Sequence, residues 1–225
     1  MAFVDSCSDI DFLFVNDGST DETEAVLSGL VERNSARFRL HSLDVNRGKA
    51  EAVREGILAA LGSHPRPDYV GFWDADLATP LDAIPRLLQV LEGNTKLQMV
   101  LGARVKLLGR AIERNPLRHY PGRIFATLVS MLLRLPIYDS QCGAKMFRAT
   151  DTTEGLFAKP FATRWIFDIE ILARFLQARG TEAANEVFEY PLEEWRDVPG
   201  SKLKPMDVAK TFLDLARVYR LYPRR

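Results

Sequence analysis

Along the N-terminal part of the chain, short apolar runs alternate with segments of helical period. Phe12-Leu13-Phe14-Val15 reads as a strand that ends in the turn signal Asn16-Asp17-Gly18. The tetrad Ser19-Thr20-Asp21-Glu22 fits a capping box, with Ser19 capping and Glu22 reaching back, and predicts a helix over 21–33. A second strand is expected over 38–43. Val53, Ile57 and Leu61 then recur at every fourth position, as on one face of a helix that opens near Gly48. Tyr69–Trp73 is the third strand, Leu81, Ile84, Leu88 and Leu91 share one helical face, and 99–101 adds a fourth strand. This β-α-β-α-β-α-β order predicts an α/β fold with a mostly parallel central sheet and helices on both faces. In such sheets ligands bind beyond the carboxyl ends of the strands, so Asp17 and the pair Asp74 and Asp76 should converge there.

After Gly102 the rhythm changes. A basic stretch broken by prolines leads into an amphipathic helix over 122–135, and Ile169, Leu172 and Leu176 mark another helix. A late strand is expected over 187–190, then a polar, basic loop over 195–205 and a closing helix over 206–221. The 225 residues show no internal repeat and suit one domain able to bury roughly 70% of its unfolded surface.

Composition narrows the picture. The chain is 47% hydrophobic and 27% charged, and its 30 basic residues balance 30 acidic ones, which argues against a generic nucleic-acid binder. The balance is local, however: Arg104, Lys106, Arg110, Arg114, Arg118 and Arg123 face the single acid Glu113 in 104–123. Cys7 and Cys142 lie far apart with no CxxC pairing, which suggests a reducing compartment rather than a disulfide scaffold or zinc site. His41, His64 and His119 lack metal-ligand spacing. The first residues show no signal-peptide pattern, and the longest apolar stretch, 124–133, is far short of the ~20 residues of a membrane-spanning helix.

Candidate chemistry centres on Gly71 to Pro80, GFWDADLATP. On a strand, side chains at i and i+2 share a face, so Asp74 and Asp76 can offer oxygens to one hard divalent cation together with phosphate oxygens. The bland alternative has Asp76 capping the next helix and Asp74 facing solvent. Asp17 has its own structural explanation in turn-plus-cap chemistry. Lys49 follows a glycine at a helix start and suits an anion, but a solvated lysine fits equally. The basic run 104–123 is either a solvated face or a seat for an anionic group near a membrane surface.

Taken in order, FVNDGSTDET, NRGKAEAVREGI, FWDADLATP, LGAR, DSQCGAKMFRA, RWIFDIEIL and EWRDVPGSKL resemble the family 2 glycosyltransferases, and within them the dolichyl-phosphate β-glucosyltransferase branch. The resemblance runs from Phe12 to about Pro205 and implies the GT-A nucleotide-diphospho-sugar transferase fold. It further implies an inverting transfer of a hexose, glucose from a UDP-sugar donor, to a polyprenyl or dolichyl phosphate, with Mg2+ or Mn2+ as cofactor. In these terms 12–103 is the nucleotide-sugar-binding half, 104–205 the acceptor-binding half and 206–225 a C-terminal helix. The resemblance places Asp17 and Lys49 at the nucleotide, Asp74 and Asp76 at the metal and diphosphate, and Arg196 and Lys202 on a loop over the phosphates. Asp168 falls at the position of the base in relatives with hydroxyl acceptors, with Glu170 after it. A phosphate acceptor needs no strong base, so Asp168 is expected to orient a sugar hydroxyl or a basic residue instead. Arg104 and Arg123 are the candidates for holding the acceptor phosphate, with the helix after Gly122 resting peripherally on the cytoplasmic face of a membrane.

The chain departs from the family at its start. Nothing in MAFVDSCSDID matches the family's opening strand and its Pro-Ala-Tyr-Asn-Glu type of loop, so the sheet is expected to lack that strand and to expose the edge of its neighbour. This keeps open a truncated, inactive GT-A domain with weak nucleotide binding, and a transferase acting on a soluble acceptor is the other alternative. Ala78, where mannosyl-transferring relatives often carry glutamine, leans towards a glucosyl donor, and Ala50 stands where a second glycine is common.

Overall fold

The computed structural model describes residues 2–113, 116–198 and 205–223. A short helix, α1 (Ala2–Ser6), precedes β1 (Phe12–Asn16), α2 (Thr23–Arg33), β2 (Phe38–Ser42), α3 (Lys49–Leu61), β3 (Tyr69–Trp73), α4 (Ala83–Gly93) and β4 (Met99–Ala103). There follow β5 (Ala111–Glu113), α5 (Pro116–Leu133), β6 (Ala144–Arg148), α6 (Asp151–Phe157), α7 (Phe167–Arg179), β7 (Val187–Pro191), β8 (Glu194–Arg196) and α8 (Pro205–Leu221). Lys202 and the GSKL segment lie outside the described residues.

The capping-box expectation at 19–22 is corrected. Ser19 N–H donates to Asn16 Oδ1 (3.1 Å), which closes the turn after β1. Asp21 Oδ1 instead accepts from the Thr23 N–H (3.0 Å) and hydroxyl (2.5 Å), and α2 starts at Thr23. These bonds, the hydroxyl's first, hold the Asp21 carboxyl below its ordinary range.

The main sheet has the order β3-β6-β4-β7. β4 and β7 are parallel, but β6 runs antiparallel to both β3 and β4, so this sheet is mixed. β1 and β2 form a separate parallel pair, as do β5 and β8. β4 is buried on both faces, with Met99, Val100 and Leu101 wholly inaccessible. α7 is buried all round, through Phe167, Ile169, Ile171 and Leu172, because it is wrapped by the sheet, α6 and α8. On α4 the inner face is Ile84, Leu87 and Leu91, with Leu81 and Leu88 packed against it half-buried. Burying each side chain of this size contributes about 1.5–3 kcal/mol.

Among the described residues β1 pairs only with β2 and β3 only with β6. The edges of β1 and β3 that a continuous sheet would join therefore carry no ladder. Gly71, in the middle of β3, is exposed there, and every β1 side chain except Asn16 is only half-buried. What joins the two ladders is α3, which packs on both β1 and β3. Gly56 makes the fit on β1: a Cβ there would stand 2.7 Å from Val15 Cγ2. α1 supports β1 from outside. Phe3 sets its ring edge-on to Phe12, and the Arg37 guanidinium holds the carbonyls of Val4 and Ile10.

Candidate active site

The chain leaves β1 at Asn16 and presents Asp17. Its Oδ1 accepts from the Arg47 N–H (2.7 Å) and its Oδ2 from the Gly48 N–H (2.8 Å), so the carboxylate ties the β1–α2 loop to the start of α3. Gly18 makes that crossing possible: it has a positive φ, and a Cβ there would collide with the Val45 backbone. Lys49, the first residue of α3, reaches across with Nζ 2.5 Å from Asp74 Oδ1. Asp17, Lys49 and Asp74, picked from separate stretches of sequence, thus form one connected group beyond the carboxyl ends of β1 and β3.

Asp74 rests on β6's approach segment. Its N–H donates to Gly143 O (2.9 Å), and its carboxylate fills the space that a Cβ on Gly143 would need. Asp76 is placed differently from the expectation that it shares a strand face with Asp74. β3 ends at Trp73, and Asp74 O accepts from Leu77 N–H (3.1 Å) in a turn that carries Leu77 at φ 52°. Asp76 is exposed and uses Oδ1 to accept from Ala78 N–H (3.0 Å), its own residue i+2. The Oδ2 atoms of Asp74 and Asp76 have no hydrogen bond among the described residues, and two such hard oxygens suit a divalent cation. No group of three or more His, Cys, Asp and Glu gathers there among the described residues. A cation held by Asp74 and Asp76 would take its remaining ligands from phosphate and water.

Asp168 does not reach an open surface. It is buried in the first turn of α7, and its Oδ1 accepts from Lys145 Nζ at 2.6 Å. Lys145 is wholly inaccessible, donates also to Cys142 O (2.5 Å) and lies over the Phe72 ring. Of the two expected partners, a sugar hydroxyl or a basic residue, the structure gives Asp168 a basic residue, Lys145. Glu170, also wholly buried, accepts from the N–H groups of Ala162 and Thr163, from Tyr222 Oη (2.9 Å) and from Arg174 Nη2 (2.8 Å).

Arg104 is likewise committed. Its N–H and Nε donate to Asp139 Oδ2 (3.0 and 2.6 Å) and its Nη2 to Oδ1 (2.7 Å), and its guanidinium lies 5.3 Å from the Trp195 ring centroid. Burial opposes the Arg104 charge, but the Asp139 carboxylate outweighs it and holds the guanidinium above its ordinary range. A fork already matched to a carboxylate is not offered to a phosphate, so Arg104 is better read as fixing the 138–142 segment. Arg123 stacks 3.5 Å from the Tyr138 ring centroid and donates to Tyr138 O (3.1 Å). Arg104, Arg123, Phe125 and Tyr138 line a cavity of about 30 Å³, room for two or three waters only. Glu189 anchors the same segment through the N–H groups of Tyr138 and Asp139 (2.7 Å each). Burial pushes its carboxyl up, against the pull of those bonds. Burial also pushes the Cys142 thiol up, aided by Asp139.

Arg196 leaves β8 exposed, paired with Glu194 (2.8 Å). Its backbone N–H donates to Ala78 O (3.0 Å), which brings the strand beside the turn that carries Asp76. Sequence reasoning missed Lys145, Asp139, Gly143 and Arg164. The first three lie in DSQCGAK and the last opens RWIFDIEIL, motifs that mark the segments but not the partners.

The architecture is that of the GT-A fold. A solved structure of glucosyl-3-phosphoglycerate synthase from Mycobacterium tuberculosis, in complex with Mn2+ and uridine-diphosphate-glucose, superposes with a TM-score of 0.65 at 21% identity, covering 100% of this chain and 74% of that one. The family model for glycosyl transferase family 2 matches residues 3–154, and the chain belongs to that family. A dolichyl-phosphate beta-glucosyltransferase of Trichomonas vaginalis is 32% identical over 212 residues, 92% of this chain and 59% of the relative. One from Drosophila melanogaster is 34% identical over 201 residues, 86% of this chain and 57% of the relative. The chain thus spans a little under two thirds of the length of these relatives.

Proposed function

We propose that the chain is the catalytic domain of an inverting glycosyltransferase that moves glucose from UDP-glucose to a polyprenyl phosphate such as dolichyl phosphate. The observation that carries this reading is the linked group Asp17–Gly48 and Lys49–Asp74 at the carboxyl ends of β1 and β3. Asp17 holds the loop that faces the nucleoside, Lys49 supplies positive charge to the phosphates, and the carboxylates of Asp74 and Asp76 suit Mg2+ or Mn2+. Such a cation neutralises the diphosphate as it leaves. The acceptor is already nucleophilic: a monoalkyl phosphate has a second pKa near ~6, so it is largely dianionic at pH 7. The chain's part in the chemistry is then to position a phosphate oxygen in line with the anomeric carbon, and a buried, lysine-paired Asp168 is compatible with a reaction that needs no base. The relatives' names support the lipid acceptor and the glucosyl product.

No helix among the described residues is long and apolar enough to cross a membrane. Contact with the lipid is assigned to α5 and α8, on the cytoplasmic side. Ile124, Leu128 and Met131 form an exposed apolar stripe on α5, and Phe125 meets Phe212 of α8 edge-on at 6.1 Å, beside the exposed Leu213.

Calorimetric binding of UDP-glucose with Mn2+ tests the donor half. The intact chain is expected to bind and Asp76→Ala to lose at least tenfold in affinity. A second reading, an inactive domain, is favoured by the open edges of β1 and β3 beside Asp17 and Asp74. Absence of metal-dependent binding to the intact chain would establish it in place of the first.

A further inference from the structure

Of the five cationic side chains Lys49, Arg104, Arg123, Arg164 and Arg196, four are already engaged. Lys49 is paired with Asp74, Arg104 with Asp139, and Arg196 with Glu194. Arg123 is stacked on Tyr138 and bonded to its carbonyl. The fifth, Arg164, is exposed and has no carboxylate within ion-pair distance among the described residues. Its position is well defined even so. The guanidinium turns its Nε–Nη2 edge towards Gly48: a Cβ on Gly48 would stand 2.9 Å from Nη2 and 3.0 Å from Nε, closer than to Cζ at 3.4 Å. Gly48 has φ 93° and donates its N–H to Asp17, and Lys49 is the next residue. The guanidinium therefore sits against the residue that bonds Asp17 and that precedes Lys49 in the chain.

The segment that carries Arg164 is held rigidly from behind. Buried Glu170 takes the N–H groups of Ala162 and Thr163. Arg174 binds the carbonyls of Leu156, Lys159 and Pro160 (2.6 to 2.8 Å) and also pairs with Glu170. Tyr222, just beyond α8, closes the network on Glu170 and Arg174. Such a clamp fixes the loop while leaving the Arg164 side chain uncommitted. An unpaired guanidinium set against Gly48, the residue before Lys49, matches an anion presented by the ligand, and a planar fork suits phosphate oxygens.

We infer that Arg164 is a substrate-binding residue that grips the diphosphate of the nucleotide sugar beside Lys49. The assignment rests on the donor reading of Asp17, Lys49 and Asp74 given above. It makes the Glu170–Arg174–Tyr222 network a positioning device for the donor site rather than part of the chemistry.

The test is calorimetric titration of the full chain, with Mn2+ present, by uridine, UMP, UDP and UDP-glucose, for wild type, Arg164→Ala and Arg164→Lys. Thermal melting checks that the variants fold, which the exposure of Arg164 favours. The expected result is a ten- to hundredfold loss of UDP and UDP-glucose affinity in Arg164→Ala, an unchanged affinity for uridine, and partial recovery in Arg164→Lys. An alanine variant that binds UDP as the wild type does overturns the assignment alone. So does one that loses uridine and UDP to the same extent, because the contact then lies at the nucleoside. A wild type that binds none of the four ligands overturns the donor reading and this assignment together.

Discussion

At the scale of single residues, the buried pair of Lys145 and Asp168 is the feature with the largest energetic stake. Both groups are taken out of water, and the pair is sustained by a 2.6 Å contact and by the Cys142 carbonyl. Removing one partner strands the other's charge in the core, which costs about 3–5 kcal/mol. Lys145→Met and Asp168→Asn are each expected to destabilise by that amount in urea unfolding. The combination Lys145→Met with Asp168→Asn is expected to cost clearly less than the two singles added, because no lone charge remains. Simple additivity would contradict the pairing. The same measurement separates roles: an Asp168→Asn protein that stays fully stable yet loses all turnover would return Asp168 to the position of a base.

At the scale of elements, α5 and α8 present one surface. Ile124 and Met131 are 64% and 69% exposed and Leu213 is 72% exposed, while Lys210, Arg217 and Arg220 lie exposed along the same helix as Leu213. Apolar side chains flanked by cations are suited to anionic bilayers. Ile124→Glu with Met131→Glu is expected to reduce co-flotation with phosphatidylserine vesicles several-fold and to leave UDP-glucose affinity untouched. Flotation equal to that of the wild type would remove α5 from the membrane reading.

The elements also show what the sequence could convey. β1 to β4, α3 and α4 are legible because each carries its own run or period of apolar positions, whereas α2, with no buried residue, is legible only from the turn and cap residues before it. β6 is not legible: a wholly buried lysine and Arg148 interrupt its apolar positions, and only the strands on either side make Lys145 an inward residue. β5 and β8 have three residues each, too few for a pattern. Asp17 and Lys49 stand out through turn and helix-start chemistry and Asp74 through its spacing to Asp76 at a strand end, and the fold joins them. Asp76 was read on a strand face, yet β3 stops before Asp74, a matter of where the ladder to β6 ends. Arg104 was read as a free cation because Asp139, its partner, lies 35 residues on.

At the scale of the whole molecule, backbone hydrogen bonding is divided between a small ladder, β1–β2, and the larger sheet around β4, with α3 seated on both. Regions with half-exposed side chains and open edges open more readily than a strand buried on both faces. Amides of 12–16 and 38–42 are therefore expected to exchange with deuterium sooner than those of 99–103 and 144–148, as followed by mass spectrometry. Equal protection in the two ladders would show a single cooperative unit.

The proposed donor site straddles that division, since Asp17 hangs from β1, Asp74 from β3, and Lys49 from the helix between. A ligand gripped by both sides can stay bound only while the two units remain docked. Its binding free energy, about 2.7 kcal/mol of added stability at a hundred times Kd, then falls on the small ladder in particular. On the donor reading, nucleotide affinity would include the work of keeping two folding units together. A substitution far from the ligand, such as one that loosens Gly56 from Val15, would weaken binding without touching a single ligand contact.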